Sequence, residues 1–253
     1  MVTLSDRVIR DEGTPDSVWL PWLARQKIRR ASMADLCPDL SRLVMIAPHP
    51  DDEVLACGGF LAMRAARYAP SLIVAVTDGE ASHGTADAQA CARLGARRAE
   101  ESYAGLRVLG VTPSTVIRLG VPDGQAANYI DSIVKRIAPL VEADDIIVST
   151  WKLDGHPDHE AVSEAARRVA QAKGCCLLQA PVWMWHWAKP DDARIPWSDL
   201  VGLHLPTHAI QAKRQALARH RSQLESFGND MVPVLISSIV ERASRADEFF
   251  FVS

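Results

Sequence analysis

Short apolar runs recur along the chain, and most end at a turn-forming residue. Leu43–Ala47 stops at Pro48, Leu72–Val76 at Thr77-Asp78-Gly79, and Thr115–Leu119 at Gly120. Asp145–Thr150 carries Ile-Ile-Val before a loop, and Cys176–Val182 and Val201–Leu205 are weaker runs of the same kind. Apolar, β-branched runs without polar alternation predict strands buried on both faces, as in parallel sheets. Between them the apolar spacing becomes helical, over Glu53–Tyr68, Asp87–Leu109, Ala127–Val141 and Glu160–Ala172. Strand and helix in alternation predict βαβ units. The expected fold class is α/β, Rossmann-like: a doubly wound, mostly parallel sheet with helices on both faces. Ligands of such sheets bind beyond the carboxyl ends of the strands. The segments to search are therefore the strand exits at 48–53, 77–83, 120–125 and 150–159.

Residues 1–41 break this rhythm. A polar start leads into a Trp-containing amphipathic stretch, Val18–Ala34, which reads as helical. The expected organisation is a lead-in over 1–41 packed on a single domain over 42–253, with a Trp-rich insertion near 183–200. Composition agrees with one large domain, since 253 residues that are 48% hydrophobic and 23% charged supply ample core. The net charge of -3 gives no basic field for nucleic acid or anionic membrane. The start MVTLSDRVIRDEGTPD lacks the apolar centre of a signal peptide, and no run approaches a membrane span. The five cysteines are odd in number and irregular in spacing, so neither a disulfide framework nor a zinc-binding Cys pair is expected. A cytoplasmic location follows as the default.

The chemistry gathers at two strand exits. The first reads Ala47-Pro48-His49-Pro50-Asp51-Asp52-Glu53, one imidazole and three carboxylates within five residues. Such packing after an apolar strand costs desolvation and mutual repulsion, which a cation would remove. A helix N-terminus capped by Asp51 or Asp52 explains the same residues equally well. The exit Asp154-Gly155-His156-Pro157-Asp158-His159-Glu160 tips that balance, because a second His-Pro-Asp cluster between an apolar strand and a helix is improbable as coincidence. Catalytic zinc takes three nitrogen or oxygen ligands and keeps one position open. His49, Asp52 and His159 could supply such a set, with spare carboxylates to orient the histidines. No H-E-x-x-H, Walker A, G-x-S-x-G or G-x-G-x-x-G pattern is present.

Pro-His-Pro-Asp-Asp-Glu (48–53) with Gly58-Gly59, and Gly-His-Pro-Asp-His (155–159), resemble the PIG-L/LmbE-like family of zinc-dependent de-N-acetylases. Thr77-Asp78-Gly79-Glu80, Arg98-x-x-Glu101, Leu119-Gly120-Val121-Pro122-Asp123-Gly124, Lys213, His220 and Ser222-Gln223 are similar to further family segments. The resemblance covers roughly 42–225 and implies the LmbE-like form of the fold. It implies one zinc per chain on His49, Asp52 and His159, with Fe²⁺ or another divalent ion as the open alternative. It implies Asp51 as general base to a zinc-activated water, His156 stabilising the oxyanion or protonating the leaving amine, and Asp158 orienting a histidine. It implies sugar contacts from Arg98 and Asp123, for which a helix-surface ion pair with Glu101 and a Pro-Asp-Gly turn are the plainer readings.

The expected activity is a metal-dependent N-deacetylase acting on an N-acetylglucosamine-type sugar or conjugate. Cleavage of a larger acyl or thiol conjugate, and a catalytically silent metal-dependent sugar binder, are the alternatives; a binder would need neither Asp51 nor His156. The expected partner is a small acetylated amino-sugar, with no nucleic acid and no stable membrane association, since no basic amphipathic anchor is present. Seven tryptophans against five phenylalanines and three tyrosines is an unusual ratio. Trp183, Trp185 and Trp187 would share one face if extended, making an aromatic wall for a sugar or its aglycone. Core packing at the domain edge is the competing explanation.

Overall fold

The computed structural model describes residues 7–9, 12–38, 40–84, 87–226 and 232–252. The chain runs α1 (Asp16–Arg25), β1 (Arg29–Ala31), α2 (Met33–Leu36), β2 (Leu43–Ala47), α3 (Asp52–Ala65), β3 (Ser71–Thr77) and α4 (Ala88–Val108). It continues through β4 (Val116–Val121), α5 (Ile130–Ile137), β5 (Ile146–Thr150), α6 (Pro157–Lys173), β6 (Cys176–Ala180) and α7 (Met184–Trp187). It closes with β7 (Leu200–His204), α8 (Thr207–Leu217), α9 (Arg221–Leu224), α10 (Ser237–Ala243) and β8 (Asp247–Val252).

The strands form one mixed sheet in the order β1-β7-β8-β6-β5-β2-β3-β4. β8 runs antiparallel to both of its neighbours, and the other pairings are parallel. β2 lies between β3 and β5, with Leu43 in register with Ser71 on one side and Ile146 on the other. The winding reverses between β2 and β5, so the loops leaving them diverge and open a crevice at their carboxyl ends. Both His-Pro-Asp segments are on those loops.

The apolar runs are continuous because the sheet is covered on both faces. Leu43, Met45 and Ala47 of β2 pack with apolar residues of α3, α8 and α10, while Val44 and Ile46 pack with those of α5 and α6. A third cluster gathers Trp19, Trp22, Trp151 and Trp185 with Phe249 and Phe251.

Three elements depart from the sequence reading. The helix expected over Val18–Ala34 ends at Arg25, because Arg29–Ala31 extends to pair with Val201–Leu203 as the edge strand β1. The lead-in thus contributes a strand to the sheet itself. β8 falls in a C-terminal Phe-rich segment that no predicted run covered. α3 is broken at Cys57 (φ -147°, ψ 27°). The buried Glu248 carboxylate on β8 bridges the break, accepting the Gly59 and Phe60 N–H groups at 2.7 and 2.9 Å. Lys213 donates to Glu248 at 2.7 Å and to the Leu55 carbonyl at 3.0 Å. α3 is therefore anchored on both sides of its break, at Leu55 and at Gly59 and Phe60, by side chains of β8 and of the helix that follows β7. Among the described residues no helix is long and apolar enough to cross a membrane.

Candidate functional site

The first exit turns sharply into α3 through Asp51, whose φ of 134° and ψ of -28° lie where a Cβ is strongly disfavoured. Several hydrogen bonds hold this conformation. The Asp51 N–H donates to Glu53 Oε2 at 3.0 Å, and Ser102 Oγ donates to the other Glu53 oxygen at 2.5 Å. Arg98 donates to the Pro50 carbonyl at 3.0 Å, to Asp51 Oδ2 at 3.2 Å and to the Gly79 carbonyl at 2.8 Å. A Cβ at Gly79 would collide with that guanidinium. Thr77 donates its N–H and its hydroxyl to the Pro48 carbonyl, fixing the strand exit.

The second exit enters α6 conventionally. His156 is the N-cap, Pro157 occupies the first helical turn, and His156 Nδ1 accepts the Asp158 N–H at 3.2 Å. Asp158 is fully buried and accepts from the Gly124 and Ala126 N–H groups at 2.8 and 3.0 Å.

The two exits converge on Asp52. Its Oδ2 lies 3.1 Å from His49 Nδ1 and 3.1 Å from His159 Nε2. Donor atoms on a tetrahedral zinc with bonds of about 2.0–2.1 Å lie about 3.3 Å apart, so the contacts on Asp52 suit a shared ion. The far nitrogen of each ring meets a carboxylate: His159 Nδ1 lies 2.7 Å from Asp154 Oδ2, and His49 Nε2 lies 3.2 Å from both Asp158 Oδ2 and Asp123 Oδ1. A carboxylate behind each imidazole fixes its tautomer and aims the other nitrogen at a metal. The residues present therefore fit a divalent cation. His156 lies beside them, its ring centroid 4.8 Å from those of both His49 and His159. Ligand atoms of these three histidines lie within 4.8 Å of one another, as do those of His49, Asp123 and Asp158.

Burial and neighbouring charge divide the titrating groups. Burial drives the Asp51 carboxyl up to about 7 despite the opposing Arg98 charge. Burial and the adjacent His159 and His49 charges push His156 down to about 3. Burial would lower His159 as well, but Asp52 and Asp154 outweigh it and raise it to about 9. Asp52, whose burial is overcome by the two histidines, stays well below the usual carboxylate range.

These groups open on a cavity of about 170 Å³. His49, Asp51, Asp52, His156 and His159 line it together with Ser82, Arg98, Asp123 and Gln223, and with the apolar Leu55, Trp183, Val234 and Leu235. Arg98 and Asp123 thus both reach the cavity, but each is also committed to the protein: Arg98 is 3% exposed and braces the Asp51 loop, and Asp123 accepts the Ala81 N–H at 3.0 Å.

Sequence reasoning gave no role to Asp154, which leads the Asp-Gly-His-Pro-Asp-His run and is fully buried. It accepts N–H bonds from Val182, Trp183 and Met184 besides facing His159. Ser102 was missed as well; it lies one residue past Glu101 of the Arg98 helix and nothing local marks it. The extended tryptophan face does not form. Residues 184–187 are helical, and Trp185 turns into the core against Trp19, with ring centroids 5.0 Å apart.

The model of the GlcNAc-PI de-N-acetylase family, PIG-L, matches residues 44–170. The 1D-myo-inositol 2-acetamido-2-deoxy-alpha-D-glucopyranoside deacetylase of Corynebacterium glutamicum (strain R) is 42% identical over 165 residues, 52% of this chain and 54% of that protein. The protein of the same description from Mycobacterium sp. (strain KMS) is 32% identical over 180 residues, 60% of this chain and 56% of that protein. The chain thus spans about half the length of these curated relatives. Among solved structures, a deacetylase of the teicoplanin biosynthesis pathway superposes with a TM-score of 0.66 at 19% identity, over 84% of this chain and 97% of that one. At that identity the likeness is one of fold.

Proposed function

Because the chain belongs to the PIG-L de-N-acetylase family, we propose that it hydrolyses the N-acetyl group of an acetylated amino-sugar at a divalent metal held by His49, Asp52 and His159. The observation that carries this reading is the convergence of both exits on Asp52, with Asp51 beside it on the same cavity. When bound, the ion supplies Lewis acidity toward the acetamide carbonyl and toward water.

The chain's own groups divide the remaining work. Asp51 takes a proton from water; its elevated pKa, about 7, suits a group that must accept a proton and later release it. Arg98 holds that carboxylate by its Oδ2. His156 Nδ1 is occupied as an acceptor from the Asp158 N–H, so the neutral ring carries its proton on Nε2. That N–H donates to the oxyanion that develops as water adds to the carbonyl. Asp158 and Asp123 orient His49, and Asp123 and Arg98 offer polar contacts to sugar hydroxyls. The products are acetate and a free amine.

The test is acetate release from N-acetylglucosamine conjugates by metal-loaded protein, with Asp51→Asn as control. Metal-dependent release that is lost in the variant is the expected result. Absence of release across a broad acetamide panel, with metal bound, would instead favour a sugar-binding protein.

A further inference from the structure

The cavity over the metal cluster is lined by two kinds of side chain. Ser82, Arg98, Asp123 and Gln223 supply polar groups, and the buried Gln223 Oε1 has no hydrogen-bond partner among the described residues. Leu55, Trp183, Val234 and Leu235 supply apolar surface. Of the chain's tryptophans, Trp183 alone is in this lining. Four others spend their indole N–H inside the protein: Trp19 on the Trp185 carbonyl, Trp22 on Asp191, Trp187 on the Asp154 carbonyl and Trp197 on the Asp192 carbonyl. The half-buried Trp183 indole donates to no acceptor among the described residues. Trp183 is therefore the aromatic residue that this lining offers a ligand.

Its position is tied to the reacting centre. The Trp183 backbone N–H donates to both oxygens of Asp154 at 3.0 Å, and Asp154 Oδ2 lies 2.7 Å from His159 Nδ1. One buried carboxylate thus orients a metal-ligating histidine and sets the start of α7, from which the indole extends. The backbone that carries the indole is thus fixed by the same carboxylate that faces His159.

A polyol would lose water from its hydroxyls against Leu55, Val234 and Leu235 and would have to share Ser82, Arg98, Asp123 and Gln223 with the sugar's own hydroxyls. An aryl or alkyl group would bury apolar area on both sides. Resting on the de-N-acetylation reading above, we propose that Trp183 is a specificity-determining residue, and that the substrate is an N-acetylated amino-sugar carrying an apolar aglycone rather than a polyol.

The test compares phenyl and octyl N-acetylglucosaminides with free N-acetylglucosamine and its inositol glycoside, using the metal-loaded protein. The phenyl and octyl substrates should exceed the other two in kcat/KM by about tenfold. Trp183→Ala should remove that preference by raising KM for the phenyl and octyl substrates, with a smaller loss on free N-acetylglucosamine, and Trp183→Phe should restore most of it. Bound metal should be the same in all three proteins. Equal losses on every substrate, or a preference for the inositol glycoside, would overturn the proposal. Calorimetric binding of phenyl glucosaminide against glucosamine separates the two readings. If no acetate is released from any substrate, de-N-acetylation fails; tighter phenyl binding that Trp183→Ala abolishes would still uphold the wall. Phenyl binding no tighter than that of glucosamine would overturn it.

Discussion

The two strand exits carry nearly the same peptide, His49-Pro50-Asp51-Asp52-Glu53 and His156-Pro157-Asp158-His159-Glu160, yet fold differently. In the second, the helix starts at the proline, so His156 caps it and Asp158 lies within its first turn. In the first, the helix starts two residues later, and Asp51 becomes the N-cap at φ 134°. That offset gives the matching residues different tasks. Asp158, inside a helix, points away to Gly124, Ala126 and His49. Asp51, ahead of one, faces the cavity beside Arg98. His49 turns its Nδ1 to Asp52, whereas His156 spends its Nδ1 on the backbone of its own helix. The residue after each His-Pro-Asp, Asp52 or His159, does play a matching part, and the glutamate after it accepts a backbone N–H of its own exit in both, Asp51 for Glu53 and Gly155 for Glu160. A shared tripeptide specifies chemistry at a strand exit; the helix start decides which atoms of it meet.

The contrast is broken most severely by removing the matching position. If the proposed site holds one divalent ion, His159→Ala should lower bound metal from about one ion per chain to near none. His156→Ala should leave metal content unchanged while slowing turnover about 10²- to 10³-fold through loss of its donor. Metal analysis of the two purified variants checks both; metal loss in His156→Ala would make that histidine a ligand and erase the difference between the exits.

The two aspartates come next. Asp51→Asn should cost about 10²- to 10⁴-fold in kcat with metal retained, because on the proposed reading it removes the base and spares the ligands. Asp158→Asn should cost less, about 10- to 100-fold, and should also weaken metal affinity, since it acts through His49. Kinetics paired with metal titration separate the patterns, and comparable losses of kcat with metal retained in both would sink the division of roles.

Much of this was legible in the sequence because the signals are local. β2, β3, β5, β6 and β7 read as apolar runs since they are buried on both faces, while the edge strand β4 reads through Val116, Ile117 and Leu119 around an exposed Arg118. The paired His-Pro-Asp segments name His49, Asp51, Asp52, His156, Asp158 and His159 without any fold. What was illegible depends on distant partners. β1 is Arg-Arg-Ala, an edge strand whose outward residues carry no hydrophobic pattern, and pairing with β7 alone makes it a strand. Asp154 matters through three N–H groups some thirty residues downstream. Glu248 bridges a helix break about 190 residues earlier in the chain. The tryptophan alternation misled because period two is evidence of a shared face only in a strand, and the segment is a turn of helix.

The smallest predicted effect probes the backbone directly. At Asp51, Asn and Gly both remove the carboxylate, but only Gly is at ease with φ of 134°. A non-glycine residue in such a region costs of order 1–3 kcal/mol. Against this, glycine adds roughly 0.5–1 kcal/mol of chain entropy to the unfolded state, and Asn keeps a contact with Arg98 that Gly lacks. Asp51→Gly should therefore be more stable than Asp51→Asn by about 1 kcal/mol, as the balance of these terms. At Asp158 the order should reverse. Its helical backbone gains nothing from Gly, which loses about 1 kcal/mol of helix propensity and leaves the Gly124 and Ala126 N–H groups without their acceptor. Denaturant midpoints of the four metal-free variants measure this crossing directly. Parallel order at the two sites would mean that side-chain contacts, and not the displaced helix start, set the first exit apart from the second.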